Sequence, residues 1–246
     1  MLRMIYRASI FQLLFFAQLN IAQAQMTNDS LFVAKVLRTL HDNSLKSQKG
    51  TSPIFNGRVY NAHPKFKDNK HAYFQSHQYT TGSVVYDGIL YAELSLKYDI
   101  LRDELVLLHD NQIDGIVLQP AAVDSFFIHG YQFIHIKPEI PHQGIEVGYY
   151  NLLYKGENLS LLVKRAKEVT EKIDQQIEKM IGEKETYYLL KNSIYHPIKG
   201  KNDLLKLLRR TDDKNQAHIK TNQLNFGKDF EHAVLSIVRF NDGTDQ

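Results

Sequence analysis

The chain has 246 residues, with 30 Lys and Arg against 27 Asp and Glu and a formal net charge of +3. It contains no cysteine, which excludes disulfides, thiol catalysis, thiolate metal sites and a lipid anchor on an N-terminal cysteine. A fold of this sequence must hold through its core alone, and the basic residues are too sparse to suggest nucleic acid.

The first residues read as an export signal. Arg3 and Arg7 form a basic start, Ile10 to Ala17 is mostly apolar, and Ala22-Gln23-Ala24 offers small residues for a signal peptidase. Cleavage is expected before Gln25. The apolar run is broken by Gln12, Gln18 and Asn20 and is too short to span a bilayer. An uncleaved anchor or a buried helix is the alternative. The mature chain is expected in the periplasm or secreted, without a transmembrane segment.

The remaining charge is unevenly spread. Residues 86–154 hold 3 basic and 10 acidic side chains, a net of −7, while 26–85 and 155–220 are each +5. Flanking segments packed around an acidic central unit would explain this. An acidic surface for a cationic partner is the sharper alternative.

Asn28 to Ser30 offer a cap, and Phe32, Val33, Val36, Leu37 and Leu40 recur at helical spacing, predicting a helix over 30–41. Residues 42–57, with Gly50, Pro53 and Gly57, read as a linker. Strands are expected at 83–86 and 89–91 around Asp87-Gly88, a turn pair that tolerates positive φ. More strands follow at 94–100, 104–109, 115–119, 123–128 and 131–136, then a hairpin of 147–154 and 159–163. Leu94, Leu96, Tyr98 and Ile100 alternate with Ser95, Lys97 and Asp99, which predicts one buried and one wet face.

From residue 162 the period changes. Leu162, Ala166, Val169, Ile173, Ile177 and Met180 form a stripe at helical spacing, with Glu168 and Lys172 as an i,i+4 pair and Gly182 at the end. Short strands are expected at 187–190 and 194–198. Leu204, Leu205, Leu207 and Leu208 mark a helix that Asn202 would cap, and Phe230, Val234, Ile237 and Val238 mark a last one over 228–239. The fold class is therefore α+β: an antiparallel meander, sandwich or barrel-like core with an N-terminal helix and C-terminal helices. The expected divisions are 1–24 signal peptide, 25–57 helix and linker, 58–165 β core, and 166–246 mixed helices with two short strands on the same domain.

The run from Gly82 to Tyr91, with Leu96-Lys97-Tyr98-Asp99 and Asp103-Glu104-Leu105-Val106, resembles a group of uncharacterised exported proteins of Bacteroidota. The resemblance extends through Leu161 to Arg165, Tyr187 to Lys191 and Asn222 to Phe226. It implies export from a Gram-negative cell and carries no activity or catalytic residues across.

Chemistry is sparse in the sequence. Asp99, Asp103, Glu104 and Asp110 gather around one hairpin. Paired carboxylates can act on a glycosidic bond, so Asp99, Asp103 and Glu104 are the catalytic candidates, with turn formation and solvation as the alternative. His129 and His135 stand an even number apart, so a regular strand would put both on one face as metal ligands. His63, His71 and His77 share an aromatic, basic stretch but match no standard zinc spacing. No nucleotide loop, serine elbow or metal motif is present, and no cofactor or metal is expected. Tyr149, Tyr150 and Tyr154 would pack in the core or form a binding face. Three functions stay open: a non-enzymatic envelope or secreted module that binds another envelope protein or surface component, a secreted hydrolase using acidic residues of 86–110, and a structural subunit of an envelope assembly.

Overall fold

A computed structural model describes residues 52–242, apart from 110–112, 114, 139–143, 174–176 and 209–211. The export signal, its cleavage residues Ala22, Ala24 and Gln25, and the 30–41 helix lie outside the described residues, as does Asp110.

The described chain is one antiparallel sheet of 11 strands with three C-terminal helices. The strands are β1 (Arg58–Val59), β2 (Thr80–Tyr86), β3 (Ile89–Asp99), β4 (Glu104–Leu108), β5 (Gly115–Val117), β6 (Val123–Ile128), β7 (Tyr131–Ile136), β8 (Gly148–Lys155), β9 (Leu159–Ile173), β10 (Ile177–Lys191) and β11 (Ile194–Ile198). Their order is β1-β5-β4-β3-β2-β6-β7-β8-β9-β10-β11. The ends β1 and β11 do not pair, so the sheet does not close into a barrel. Asp87 and Gly88 have φ of 49° and 73°, the left-handed turn that joins β2 to β3.

One rung shows how the sheet makes a core. Val84, Phe126, Phe133, Asn151, Val163, Tyr187 and Ile198 are direct partners across successive strands, and all are buried. Side chains directly opposite share a face, so this rung defines the inner face. Tyr98 joins it, with its ring centroid 5.1 Å from Phe126, 5.0 Å from Phe133 and 5.9 Å from Tyr149. Such pairs add about 0.5–1.5 kcal/mol each beyond area burial. Tyr149 and Tyr150 therefore serve packing: both are buried.

The helices α1 (Lys201–Leu208), α2 (Asp212–Thr221) and α3 (Phe230–Asp242) belong to the same cluster as β9 and β10. Leu204, Leu208, Ala233, Val234, Ile237 and Val238 pack with Leu161, Val163, Tyr187 and Leu189. Helix α1 begins at Lys201, so Asn202 is inside its first turn; it is Asp203 that reaches back to accept from the Lys199 amide at 3.3 Å.

The helical stripe over 162–180 is overturned. Residues 159–173 and 177–191 are two 15-residue strands of one hairpin. The boundary at 165 goes with it, since the sheet runs on to Ile198. The apolar spacing had a second explanation: Leu162 belongs to one face, while Val169 is an exposed residue of the arm. The hairpin is held by charge across strands. Arg165 pairs with Glu185, and Lys167 lies 3.5 Å from Glu183, each directly opposite its partner. Gly182, expected to end a helix, lies inside β10.

Candidate functional site

The other face of β3 builds the site. Lys97, Val106, Val117 and Arg58 are successive partners across β3, β4, β5 and β1. Segment 60–79 crosses this face, so it is not wet as the alternation predicts. The crossing is fixed by backbone bonds: Tyr60 N–H to Gly115 O at 2.7 Å, Phe74 N–H to Tyr98 O at 2.9 Å, and Ile100 N–H to Ala72 O at 3.1 Å. Gly115 permits the approach, because a Cβ there would stand 2.4 Å from the Tyr79 hydroxyl and 2.9 Å from Val106. Tyr60, Tyr73 and Tyr79 pack on Val106 and Val117.

Asp99 lies under this cover, fully buried. Its Oδ1 accepts from the amides of Leu101 at 3.0 Å and Arg102 at 3.1 Å. Its Oδ2 accepts from the Tyr60 hydroxyl at 2.9 Å and meets His63 Nε2 at 2.6 Å. Tyr73 Oη lies 3.2 Å from Tyr60 Oη and, with the Tyr60 proton given to Asp99, donates to it. A buried charge needs this many partners to persist. With Asp99 as acceptor, His63 Nε2 carries the proton and Nδ1 is its basic nitrogen. Beside this network, Lys97 Nζ lies 4.4 Å from the Tyr73 ring centre and 4.2 Å from that of Tyr79. Burial holds Lys97 below its ordinary pKa.

His63 also lines an open cleft of about 400 Å³ with His71, His77, Lys65, Lys70 and Tyr73. His71 stacks on Tyr73 at 5.9 Å, and its ring is 5.9 Å from that of His77. Its Nδ1 accepts from the Tyr73 amide at 3.2 Å. Behind these residues, the β9–β10 arm returns across the segment. Ile181 packs with Phe66 and Ala72, and Lys167 Nζ donates to the carbonyls of His71 at 2.8 Å and Tyr73 at 2.9 Å. Burial, then Lys167, then His77, hold His71 below its ordinary pKa.

The three acidic candidates do not converge. Asp103 has φ of 59° and turns to the inner-face residues, accepting from Tyr98 Oη at 2.5 Å, Lys164 Nζ at 2.5 Å and the Tyr149 amide at 3.2 Å. Glu104 opposes Asp99 in register but pairs with Arg58 of β1. Asp99 alone reaches the cleft, through His63.

His129 and His135 lie at separate places: His129 is in the turn after β6 and His135 within β7. His129, in the β6–β7 turn, packs on Phe74 at 6.2 Å, and burial lowers its pKa. His135 packs on Tyr149 at 4.7 Å and bonds Val123 O at 3.1 Å. Among the described residues, no group of three or more His, Cys, Asp or Glu is placed to hold a metal ion. No described helix is long and apolar enough to cross a membrane.

Sequence reasoning saw His63, His71 and His77 as neighbours but missed the meeting of His63 with Asp99, 36 residues away. The only local signal was the acidic residue ending an alternating strand. A scan of family models and searches of curated proteins and of solved structures find no match to this chain.

Proposed function

We propose that the mature chain is a non-enzymatic binding module, exported to the periplasm or beyond, that takes its ligand in the histidine cleft. The observation that carries this is the convergence of His63, His71 and His77 on one open cleft of about 400 Å³, within the size range of small-molecule sites. Export is supported by the basic start, apolar run and Ala22-Gln23-Ala24, and by the resemblance to exported Bacteroidota proteins. The mature protein should begin at Gln25. Another envelope protein or surface component would supply the ligand or present it.

One observation favours a hydrolase as the second reading. The 2.6 Å contact of His63 with buried Asp99 is the arrangement that orients a general base. The other two acidic candidates are held by Lys164 and Arg58, which leaves this pair as the catalytic machinery of that reading.

The test is an amide-shift titration of the isotope-labelled chain from Gln25 with a library of charged and neutral small molecules. Ligands that shift residues 63–77 and are recovered intact support the binding module. Turnover lost in His63→Gln while ligand binding survives would establish the hydrolase. A library silent at 63–77 removes both readings.

A further inference from the structure

The cleft has a chemical bias that its neighbours lack. Of the ten residues lining it, two are lysines, three are histidines and none is acidic. Two other clefts among the described residues each carry carboxylates: Asp203 in the one beside β11, Glu183 and Glu185 in the one beside Arg165. The positive charge extends beneath the floor. The Lys167 side chain is 7% exposed, and its nearest carboxylate, Glu183 at 3.5 Å, is 79% exposed and screened by solvent. Two main-chain carbonyls hold the ammonium under His71 and Tyr73.

These groups act on one another. Burial, then Lys167 and His77, depress the protonation of His71 against a weaker opposing pull from Glu183; burial depresses Lys167, which Glu183 opposes and Lys70 reinforces. A cluster of like charge held at one place disfavours its own charged forms, and a bound anion reverses that. Several donors around one cleft also suit a group with two negative charges and several acceptor oxygens better than a single carboxylate. Pro64, Phe66 and Tyr73 supply an apolar wall beside the cations.

We infer that the histidine cleft is an anion site for a phosphate monoester whose apolar or aromatic body lies against Pro64, Phe66 and Tyr73. This deepens the binding reading and rests on it. Lys65 and Lys70 are exposed and meet the phosphate from the rim, and His71 and His77 meet it from the wall. Both a soluble phosphate monoester and a lipid phosphate headgroup have this chemistry.

The experiment is calorimetry on the chain from Gln25 with four probes: phenyl phosphate, inorganic phosphate, benzoate, and phosphatidylcholine vesicles with and without phosphatidic acid. Phenyl phosphate should bind at least about tenfold more tightly than benzoate and more tightly than inorganic phosphate. Binding to phosphatidic acid vesicles as well assigns the headgroup as the source, and binding to phenyl phosphate alone assigns a soluble ligand. The double variant Lys65→Glu/Lys70→Glu changes only exposed side chains, so its thermal midpoint should match the parent without ligand. Its affinity for phenyl phosphate should fall at least about tenfold. Unchanged affinity in that variant, or equal affinity for benzoate, overturns the inference. If phenyl phosphate is silent while a neutral ligand shifts residues 63–77, the phosphate inference fails and the binding module stands. If no ligand of any charge shifts them, both fail.

Discussion

Replacing Asp99 tests whether the site is built as described. Asp99 is fully buried and accepts four hydrogen bonds: from the amides of Leu101 and Arg102, the Tyr60 hydroxyl and His63 Nε2. Asp99→Ala strands all four donors. A buried donor left unpaired costs about 1–3 kcal/mol. Tyr60 keeps Tyr73 within reach and His63 borders the cleft, so water or Tyr73 can take those two. The two amides remain, in a turn that places Asp103 and the start of β4. The expected loss is about 3–5 kcal/mol, the range for breaking a buried charged pair. Against a total of about 5–15 kcal/mol, that is a large share. Asp99→Asn keeps Oδ1 as an acceptor for both amides but puts an NH2 donor where Oδ2 accepted, so His63 must turn an unprotonated nitrogen to it and Tyr60 must donate to Tyr73 instead; about 1–2 kcal/mol is expected. Urea unfolding at pH 7 measures both, provided the slope with denaturant is unchanged. A loss below about 1 kcal/mol in Asp99→Ala, or equal losses in the two variants, would refute the account of Asp99 as the buried anchor of the cleft.

Four further substitutions address other parts of the fold. Burial pushes the Asp242 carboxyl up, but bonds from the Tyr154 hydroxyl and the amides of residues 157–159 outweigh it and hold its pKa below the usual value. Its contribution is therefore present above the unfolded pKa and lost as pH falls through the folded one. Asp242→Asn should cost about 2 kcal/mol at pH 7, and the gap to the parent should shrink below about pH 4; a gap independent of pH contradicts this. For His71 the sign is the same and the cause differs: burial and neighbouring cations, not hydrogen bonds to a charged form, depress its folded pKa, so the unfolded chain takes the proton first. Stability should fall on acidification through the ordinary histidine range, and His71→Gln should flatten that limb of the pH profile. An identical limb in the variant means His71 is not the group responsible. Gly182 has no neighbour within 4 Å of a built Cβ, so Gly182→Val in β10 should stabilise by about 0.5–1 kcal/mol. Gly82→Ala puts a Cβ 2.5 Å from the Phe127 carbonyl oxygen and should cost about 1–3 kcal/mol. Guanidinium melts compare the pair, and destabilisation by Gly182→Val would contradict the strand.

Features set by neighbours in sequence were legible. The Asp87-Gly88 turn needs only two residues that accept positive φ, and the strands around it follow. Helix α1 carries its leucines as a local stripe, and α3 has Asp229 at its start, accepting from the His232 amide at 3.1 Å. Helix α2 was missed because only Ala217 and Ile219 in it are apolar, too few for a stripe; Ile219 packs on the core, His218 stacks on Phe240 at 4.2 Å, and Asn241 Nδ2 donates to Asn215 Oδ1 at 2.9 Å. The β9–β10 hairpin was misread because apolar positions at spacings of 3 and 4 fit a helix as well as two strands. A different signal was available. Arg165 and Glu185, Lys167 and Glu183, and Ile173 and Ile177 are each equidistant from residue 175, the pattern of an antiparallel pair. Asp99 was placed on a wet face because alternation says which residues share a side, not what covers it. That depends on residues 60–79, which approach from elsewhere in the chain.

The charge blocks of the sequence acquire a meaning from this cover. The acidic block 86–154 is met from both basic flanks: Arg58 pairs with Glu104 from one side and Lys164 with Asp103 from the other, while His63 bonds Asp99. Flanking segments thus neutralise the acidic centre while packing on it, which is the plainer explanation of the +5, −7, +5 pattern. The pairing is also selective. It consumes Arg58 and ties down His63 near the start of segment 58–79, and backbone bonds at Ala72 and Phe74 fix the rest. Lys65, Lys70, His71 and His77 follow the His63 anchor and flank the backbone anchors at Ala72 and Phe74, and the cleft lining they share holds no carboxylate. A segment tied down by its own ion pairs can hold like charges together that a free loop would spread apart. The cost of that repulsion is carried by the bonds at Asp99 and by the carbonyls around Lys167. Weakening the Asp99 anchor should therefore loosen the cleft before it unfolds the sheet: in Asp99→Asn, amide exchange should rise first at residues 63–77, while β7 and β8 keep their protection. Uniform loss of protection across the sheet would show that the segment and the sheet open as one unit.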